Sequence, residues 1–249
     1  MTGGAGGIGL AITRAFAATG ARVHIADPDA SALGAVTGGA GAPSVTGSVC
    51  DITDAAAVTA MFEDLDRALG GLDVLVNNAG VAGATAPVDE LAREDWDAVL
   101  AVNLNGTFDV TRRAIPLLKE SPAGSIVVMS SLAGRFGYRN RVAYATSKWG
   151  LVGFAKTLAL ELGPFGITAN SIHPGGVEGP RVRQVLERRA ERSGRSVEEE
   201  TERALENQSI GRFTEAADIA ALTVFLAGPH GRTISGQMLP IDGDSKSAQ

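Results

Sequence analysis

The chain has 249 residues, 45% of them hydrophobic and 20% charged, and its formal net charge is −6 at pH 7. This length suits one domain with a single core, because cores stop growing at roughly 250 to 300 residues. An acidic chain offers no broad basic surface to phosphate backbones or anionic lipids, so we expect neither nucleic acid nor a membrane as a partner. No apolar run approaches the ~20 residues that a transmembrane helix needs.

The cysteine content and the N-terminus bear on the cellular compartment. Cys50 is the single cysteine, so no intramolecular disulfide can form. The first residues do not combine a basic flank, an apolar stretch and a cleavage site, as a secretory signal does. The sequence therefore favours the reducing cytoplasm.

Short runs rich in β-branched residues alternate with helix-length segments along the chain. Such alternation is typical of a parallel sheet with helices on both faces. We predict a single α/β domain over residues 1–249, built on a Rossmann-like doubly wound parallel sheet. The predicted strands cover residues 21–26, 44–49, 72–77, 125–130, 166–172 and 236–241.

The predicted helices carry their own start and stop signals. Asp54 is placed to N-cap a segment with apolar residues at helical spacing, and Gly70 is placed to end it. Further helices are predicted over residues 95–118, 144–162 and 215–227. Residues 181–208 are instead rich in Arg and Glu, and composition alone predicts a solvated helical pair there.

A glycine-rich turn, Thr2-Gly3-x-x-x-Gly7-x-Gly9, stands at the beginning of the chain. In dinucleotide-binding folds this turn follows a central strand, but here only Met1 precedes it. We therefore predict that the sheet lacks its first strand and that a segment of roughly six to ten residues is missing upstream. The helical pattern from Ile8 onward places backbone amides at a helix N-terminus, where a pyrophosphate binds favourably.

Asp27 directly follows the predicted strand at residues 21–26, eighteen residues after Gly9. A carboxylate at this place accepts hydrogen bonds from an adenosine ribose and repels a 2′-phosphate, so the sequence favours NAD over NADP. A turn role before Pro28 is compatible with this function. Asp51 and Ile52 follow the next strand, where we predict contacts with the adenine amino group and ring. N-capping of the next helix is the alternative role of Asp51.

Tyr144 and Lys148 lie four residues apart at the start of a predicted helix, so their side chains share one face. An ammonium beside a phenol favours the phenolate, which makes the tyrosine a general acid and base. A tyrosine and a lysine at this spacing also occur by chance on solvated helices. The pair therefore indicates a catalytic site only in combination with other motifs.

Six motifs follow one another in order along nearly the whole chain. Beside the glycine turn and the Tyr144-x-x-x-Lys148 pair, they are Asn77-Asn78-Ala79-Gly80, Asn103, Ser130-Ser131 and Pro174-Gly175. This series resembles that of the short-chain dehydrogenase/reductase family, and coincidence across all six motifs is negligible. The resemblance implies hydride transfer between NAD(H) and a secondary alcohol or ketone.

The resemblance also implies a role for each matching residue. Tyr144 would exchange a proton with the substrate oxygen, and Ser131, rather than Ser130, would donate a hydrogen bond to that oxygen. Lys148 would bind the nicotinamide ribose, and Asn103 would hold a water that links Lys148 to bulk solvent. A buried amide bonded to backbone is the alternative role of Asn103. None of these roles requires a metal.

The cofactor residues implied by the resemblance come from several loops. The family often has a threonine shortly after Pro-Gly, but this chain has Glu178-Gly179-Pro180, so one phosphate contact is expected to be missing. His173 is expected to fix this loop rather than act as a base. Together with Asp27, Asp51, Ile52, Tyr144 and Lys148, the predicted cofactor residues are Gly3, Gly7, Ile8, Gly9, Asn78, Ala79, Gly80, Pro174, Gly175 and Val177.

In this family the segment after the Pro-Gly loop closes over the substrate, so the resemblance favours a helical lid over residues 179–210. Arg181 and Arg183 begin this segment and are candidate contacts for an anionic substrate, with solvation as the alternative. Phe136, Tyr138 and Arg139 are candidate pocket-wall residues.

Two alternatives stay open, and a third, the extended relatives, is disfavoured. A 3-oxoacyl thioester reductase usually uses NADPH, and Asp27 argues for the dehydrogenase instead. An NAD-binding protein without turnover would be expected to have lost Tyr144 or Lys148, although the missing first strand favours it. Extended relatives such as sugar-nucleotide epimerases share Tyr-x-x-x-Lys but carry a larger C-terminal domain. The resemblance also implies a homodimer or homotetramer, formed through the helices with Asn103 and Tyr144 and through the C-terminal strand.

Overall fold

The computed structural model describes residues 1–38 and 44–248. Strands and helices alternate in this part of the chain, as the sequence predicts. The strands are β1 (Val23–Asp27), β2 (Val45–Val49), β3 (Val74–Asn77), β4 (Ser125–Met129), β5 (Thr168–Pro174) and β6 (Met238–Ile241). The helices are α1 (Gly7–Ala18), α2 (Ala30–Thr37), α3 (Ala55–Leu69), α4 (Arg93–Leu100), α5 (Thr107–Glu120), α6 (Val142–Leu162), α7 (Pro180–Ser193), α8 (Val197–Glu206) and α9 (Ala216–Ala227).

The strands pair in parallel throughout. β3, β4, β5 and β6 neighbour one another in that order, and β1 pairs with β2 in a separate ladder. Each predicted strand agrees with the observed one to within two residues at both ends. The predicted fold class, a parallel α/β sheet flanked by helices, is therefore confirmed.

Met1 and Thr2 lie between β1 and β3, where a doubly wound sheet has its first strand. On one side, the Ala26 amide donates to the Met1 carbonyl at 2.8 Å. On the other side, the Thr2 amide donates to the Val76 carbonyl at 3.1 Å. These two residues join the two ladders through backbone hydrogen bonds on both sides.

Helix α3 shows how local signals set the ends of an element. The Asp54 carboxylate accepts hydrogen bonds from the Ala56 and Ala57 amides at 2.8 and 3.3 Å. The helix ends at Gly70, whose φ of 68° is left-handed and suits a residue without a Cβ. Both predicted boundaries of this helix are confirmed.

Helices α4 and α5 are joined by a π-helical turn at Ala101–Gly106. The sequence predicts one regular helix over residues 95–118, so this turn is a departure from that expectation. π-helical turns are rare and frequently mark functional sites. This one contains Asn103.

Apolar clusters cover both faces of the larger sheet. β4 and β5 are buried along their whole length, which is typical of strands covered on both sides. On one face α1 and α9 pack through Ile12 and Ile219. On the other face α3, α5 and α6 contribute Val58, Val110 and Leu151. Burial of each such side chain stabilises the fold by roughly 1.5–3 kcal/mol.

Helices α7 and α8 form the Arg- and Glu-rich pair predicted for residues 181–208. Ser196 begins α8 with a capping box closed by Glu199. Between the helices, the Glu200 carboxylate accepts hydrogen bonds from Ser193 at 2.7 Å and Arg195 at 3.1 Å. These bonds hold the pKa of Glu200 below its ordinary value. Across residues 1–38 and 44–248, every helix is too short or too polar to cross a bilayer.

Candidate active site

The carboxyl ends of the strands in the larger sheet open onto a cavity of about 610 Å³. Loops after β3, β4 and β5 line it, together with the glycine turn, the start of α6 and residues of α7. Ligands of open parallel sheets bind at this edge. Of the predicted site residues, its wall contains Gly3, Gly7, Ile8, Gly9, Asn78, Ala79, Gly80, Ser131, Tyr144, Lys148, Pro174, Gly175 and Val177.

The glycine turn has a backbone geometry that side chains would block. Gly3 and Gly7 have φ values of 62° and 51°. A Cβ at Gly9 would lie 1.9 Å from the Gly3 carbonyl oxygen. A Cβ at Gly7 would meet no atom within 4 Å, so that side of the turn is open. Because the turn leads into the first amides of α1, its shape fits an anion such as a pyrophosphate.

Asn78 ties the glycine turn to the end of β3. Its Nδ2 donates to the carbonyls of Gly3 at 2.8 Å and Thr2 at 3.2 Å. The Thr2 hydroxyl accepts hydrogen bonds from the amides of Asn78 and Ala79, both at 3.1 Å. These contacts agree with the mainly structural role expected of the Asn77–Gly80 motif.

The Asp27 carboxylate lies beside the glycine turn. Its Oδ2 accepts a hydrogen bond from the Ala5 amide at 3.0 Å. Its Oδ1 accepts one from the Asp29 amide at 3.1 Å. Two backbone amides therefore fix a negative charge next to the start of α1.

The two basic residues that precede Asp27 bond to other groups. Arg22 Nη2 donates to the Leu69 carbonyl at 2.5 Å, at the end of α3. His24 Nε2 shares a hydrogen bond with the Ser48 hydroxyl at 3.0 Å. Burial lowers the pKa of His24 to about 4, so this ring is neutral at pH 7. Neither residue supplies a free positive charge beside Asp27.

Asp51 and Ile52 lie outside the cavity wall. The Asp51 carboxylate accepts hydrogen bonds from the amide and hydroxyl of Thr53, at 2.9 and 2.8 Å. Asp54, not Asp51, caps α3. Ile52 is 6% exposed and packs against the backbone of Gly106, where an added Cβ would lie 2.7 Å from Ile52 Cγ1. Their contacts with an adenine stay a prediction.

Tyr144 and Lys148 meet on α6 in the cavity wall. Lys148 Nζ lies 5.6 Å from the centroid of the Tyr144 ring. The lysine is 4% exposed, and its Nζ donates to the Met129 carbonyl at 2.9 Å. The structure therefore brings the phenol and the ammonium into the cavity that the glycine turn also lines.

The two serines after β4 have different surroundings. Ser130 is 4% exposed, and its hydroxyl donates to the Lys148 carbonyl at 2.9 Å. The Ser131 hydroxyl accepts a hydrogen bond from the Ala133 amide at 3.2 Å, which leaves its own proton for a further acceptor. Ser131 is thus the better placed of the two to donate to a substrate.

His173 holds the backbone of the Ser131 loop. The ring is fully buried, with Nδ1 3.0 Å from the Ser131 carbonyl and Nε2 2.9 Å from the Ser171 hydroxyl. A carbonyl only accepts, so Nδ1 carries the proton. Burial lowers the pKa of His173 to about 4. A neutral, enclosed ring agrees with the expected loop-fixing role.

Asn103 is fully buried beside Lys148. Its Oδ1 accepts from the Val81 amide at 2.8 Å, and its Nδ2 donates to the Val81 carbonyl at 3.0 Å and the Ser147 hydroxyl at 2.9 Å. A Cβ at Gly80 would lie 3.2 Å from Asn103 Oδ1 and 3.3 Å from Lys148 Nζ. These contacts match the alternative role, a buried amide bonded to backbone. The linking water stays a prediction.

The loop after β5 is held at two points. The Gly175 amide donates to the Ile241 carbonyl of β6 at 3.0 Å. The Glu178 amide donates to the Thr214 carbonyl at 2.9 Å, just before α7 begins at Pro180. The Pro-Gly loop is therefore anchored to the sheet while the chain turns into α7.

The remaining wall includes residues that the sequence did not single out. Tyr138 lines the cavity as expected, whereas Phe136 and Arg139 lie outside the wall. Arg183 is exposed and also outside it, and the side chain of Arg181 lies outside the described residues. The additional wall residues include Arg141, Val182, Val185, Leu186, Arg189, Ala204, Gln208, Phe213 and Ser245.

Two patterns in the sequence could have identified some of these additional residues. Val182, Val185, Leu186 and Arg189 recur at helical spacing, which defines one face of α7. Arg141 stands three residues before Tyr144. Gln208 and Ser245 had no such signal, because the isolated bridge between them joins distant parts of the chain.

Known proteins resemble this chain over nearly its whole length. The family model described as Enoyl-(Acyl carrier protein) reductase matches residues 3–243. The chain is 37% identical to D-beta-hydroxybutyrate dehydrogenase of Cupriavidus necator, with 98% of this chain and 95% of that protein covered. It is 36% identical to 3-oxoacyl-[acyl-carrier-protein] reductase FabG of Thermotoga maritima, with 98% and 95% covered. The solved structure of NAD+-bound xylitol dehydrogenase matches with a TM-score of 0.89 at 29% identity, with 97% and 96% covered.

Fold, site and relatives together define a nicotinamide-dependent oxidoreductase that acts on CH–OH groups. The chain belongs to the short-chain dehydrogenase/reductase family. Its reaction is hydride transfer between the cofactor and an alcohol or ketone.

Proposed function

We propose that this oxidoreductase is an NAD-dependent dehydrogenase of secondary alcohols in which Tyr144 carries the proton. The observation that supports this most directly is the position of Lys148 Nζ, 5.6 Å from the Tyr144 ring centroid, in the cavity that the glycine turn lines. The same residues serve the reverse reaction on ketones.

The residues around the cavity fit a dinucleotide. The open side of Gly7 and the first amides of α1 suit the pyrophosphate, and Asp27 suits the adenosine ribose. Lys148 would hold the second ribose, and the loop from Pro174 to Val177 would contact the carboxamide. When bound, the nicotinamide supplies or accepts the hydride.

Tyr144 handles the proton of the reacting oxygen. During oxidation the phenolate takes the hydroxyl proton of the alcohol, and during reduction the phenol returns a proton to the ketone oxygen. The Lys148 ammonium lies 5.6 Å from the centroid of this ring, where its charge would stabilise negative charge that develops during the proton transfer. Because Lys148 is buried and bonded to the Met129 carbonyl, its charge is held in place before the substrate arrives. A water beside Asn103 would pass the proton on to solvent.

Ser131 positions the substrate. Its hydroxyl proton is available to the substrate oxygen, and a hydrogen bond there stabilises negative charge that develops on that oxygen. The ring of His173 fixes the backbone that carries Ser131. The serine is therefore already in position when the substrate binds.

The preference for NAD follows from the charges at the end of β1. A 2′-phosphate there would meet the Asp27 carboxylate, while Arg22 and His24 bond to other groups. The second candidate, an NADPH-dependent reductase of 3-oxoacyl thioesters, is favoured by the 36% identity with the FabG protein. The cofactor preference of the purified protein separates the two.

We propose further that α7 and α8 act as a lid, because residues of both helices line the cavity wall. We also propose a homodimer or homotetramer in the cytoplasm. Large apolar side chains are exposed on α5 and α6, including Phe108 at 53%, Trp149 at 47% and Leu160 at 81%. Exposed apolar patches of this kind mark interfaces. Sedimentation equilibrium measures the assembly, and a purely monomeric protein would contradict it.

The proposal is tested with a panel of secondary alcohols, hydroxy acids and diols, each assayed with NAD+ and NADP+ by the absorbance of the reduced cofactor. We expect turnover of at least one alcohol, with a higher kcat/KM for NAD+ than for NADP+. A higher value for NADP+ would favour the thioester reductase. Binding of NADH without any turnover would favour the binding protein.

A further inference from the structure

Two arginines that the proposed mechanism does not use line the cavity. Arg141 precedes α6, and Arg189 lies on α7. Both are half-buried. Within residues 1–38 and 44–248, neither forms an ion pair with an acidic side chain. Arg135, by contrast, comes from the same loop as Arg141 and is paired with the buried carboxylate of Asp242.

Arg141 is held next to the reacting tyrosine. Its Nη1 donates to the Gly83 carbonyl at 3.1 Å and to the Thr85 hydroxyl at 2.8 Å. Its Cζ lies 5.7 Å from the centroid of the Tyr138 ring and 5.8 Å from that of Tyr144. One edge of the guanidinium is thus anchored to the loop after β3, and the group sits between the two tyrosines of the chain.

The other donors of Arg141 remain available. Among the described residues, no acceptor forms a hydrogen bond with its Nε or Nη2. A guanidinium carries its charge at every physiological pH and presents donors in a planar fork that matches a carboxylate or phosphate. A half-buried charge without an acidic partner is stabilised most by an anion that enters the cavity.

We propose that the substrate is a short secondary alcohol or ketone that carries an anionic group, and that Arg141 binds this group. The inference rests on the proposed function, because it places the reacting oxygen at Tyr144. Since the guanidinium is fixed close to that ring, the anion and the reacting carbon are only a few bonds apart. Arg189 adds a second positive charge to the same cavity. The hydride and proton transfers themselves are unchanged.

The test compares each acid with its neutral amide. The pairs are 2-hydroxybutyrate, 3-hydroxybutyrate and 4-hydroxypentanoate with the corresponding amides, and glycerol 3-phosphate with glycerol distinguishes phosphate from carboxylate. The proteins are the wild type, Arg141→Met, Arg141→Lys and Arg139→Met. Arg139 is the matched control, because it lies two residues away, is exposed and stands outside the wall.

We expect the wild type to favour at least one anion over its neutral partner by tenfold or more in kcat/KM, since a charge-assisted hydrogen bond is lost with the amide. Arg141→Met is expected to abolish this preference through KM, with the Kd for NADH within about twofold of the wild type. Arg141→Lys is expected to keep part of the preference, and Arg139→Met all of it. Turnover without any preference for an anion, or a preference that survives in Arg141→Met, would overturn the inference.

A binding measurement separates this inference from the proposed function. Calorimetry with acetoacetate and acetoacetamide, on the Tyr144→Phe protein with NADH, requires no turnover. Tighter binding of acetoacetate that depends on Arg141 supports anion recognition even where no alcohol is oxidised, in which case only the proposed function fails. Equal binding of both compounds, together with turnover of the neutral alcohols, contradicts anion recognition alone.

Discussion

The buried ring of His173 donates from Nδ1 to the carbonyl oxygen of Ser131 at 3.0 Å, and so joins the end of β5 to the loop that follows β4. Its Nε2 accepts from the Ser171 hydroxyl. Both ring nitrogens are satisfied in the neutral form with the proton on Nδ1, and burial favours that form. Because this bond fixes the backbone of Ser131, a residue outside the reaction helps to set the geometry of the site.

His173 makes the fold sensitive to acid. Its pKa falls from an ordinary 6.5 to about 4 on folding, so below pH 6.5 the unfolded chain binds the extra proton more readily. The contribution of this histidine to the free energy of unfolding is therefore complete above pH 6.5 and is lost as the pH falls through 4. The loss is about 3 kcal/mol at most. Urea unfolding at pH 7.5, 6, 5 and 4.5 measures this slope.

The variant His173→Gln is expected to reduce this pH dependence to the part that the buried His24 contributes. It is also expected to lower the stability at pH 7.5 by ~1–3 kcal/mol, because buried bonds are lost. The exposed His230 provides a control, and His230→Gln is expected to follow the wild type. An unchanged slope in His173→Gln would refute the assignment of the acid sensitivity to this ring.

Gly9→Ala is expected to destabilise the protein by ~1–3 kcal/mol and to weaken NADH binding, because the new Cβ would lie 1.9 Å from the Gly3 carbonyl oxygen. Gly6→Ala is the matched control for stability. A Cβ at Gly6 meets nothing within 4 Å, so its effect is expected to stay within ~1 kcal/mol. Thermal unfolding without cofactor makes the comparison. Equal effects of the two substitutions would show that the turn is not packed as described.

Local signals in the sequence were sufficient for much of the fold. The cap at Asp54 and the stop at Gly70 involve neighbours within four residues, and both ends of α3 follow from them. The position of β4 was equally accessible, because residues 126–129 form a continuous apolar run. The resemblance then supplied the residues of the cavity wall around Tyr144.

Other features of the site could not be predicted from the sequence, because they depend on contacts between residues that are distant in the chain. Arg141 is fixed by Gly83 and Thr85, more than fifty positions earlier in the chain. Ile52 packs against the backbone of Gly106, far along the chain, and no local pattern indicates this. The π-helical turn at Asn103 also has no local signature, since its residues fit a regular helix equally well.

Asp27→Ala is expected to reduce the preference for NADH over NADPH by several-fold or more, because a carboxylate that repels a 2′-phosphate is removed. Fluorescence titrations with both reduced cofactors give the two Kd values. Asp29→Ala is the control: it removes a nearby carboxylate whose hydrogen bonds go to the Ser31 and Ala32 amides of α2 rather than to the glycine turn. A wild-type protein that binds NADPH more tightly than NADH would remove the basis of this prediction.

Ser131→Ala is expected to affect mainly the rate of the reaction, and Ser130→Ala mainly the stability of the fold. Ser131→Ala is expected to lower kcat by roughly 10²-fold or more with little change in stability, since it removes a donor to the reacting oxygen. Ser130→Ala removes a buried bond to the Lys148 carbonyl, so it is expected to cost ~1 kcal/mol or more of stability. Steady-state kinetics give kcat and urea unfolding gives the free energy of unfolding for both variants. If Ser130→Ala produced the larger kinetic loss with stability intact, the two roles would have to be exchanged.

The most direct measurement of the central claim is the single-turnover rate of Tyr144→Phe beside that of Tyr138→Phe. Both tyrosines line the cavity, but only Tyr144 lies next to the Lys148 ammonium. We predict that Tyr144→Phe loses at least 10³-fold in rate while its Kd for NADH stays within a few-fold, and that Tyr138→Phe loses no more than about tenfold. Substantial turnover by Tyr144→Phe with normal NADH binding would contradict the account.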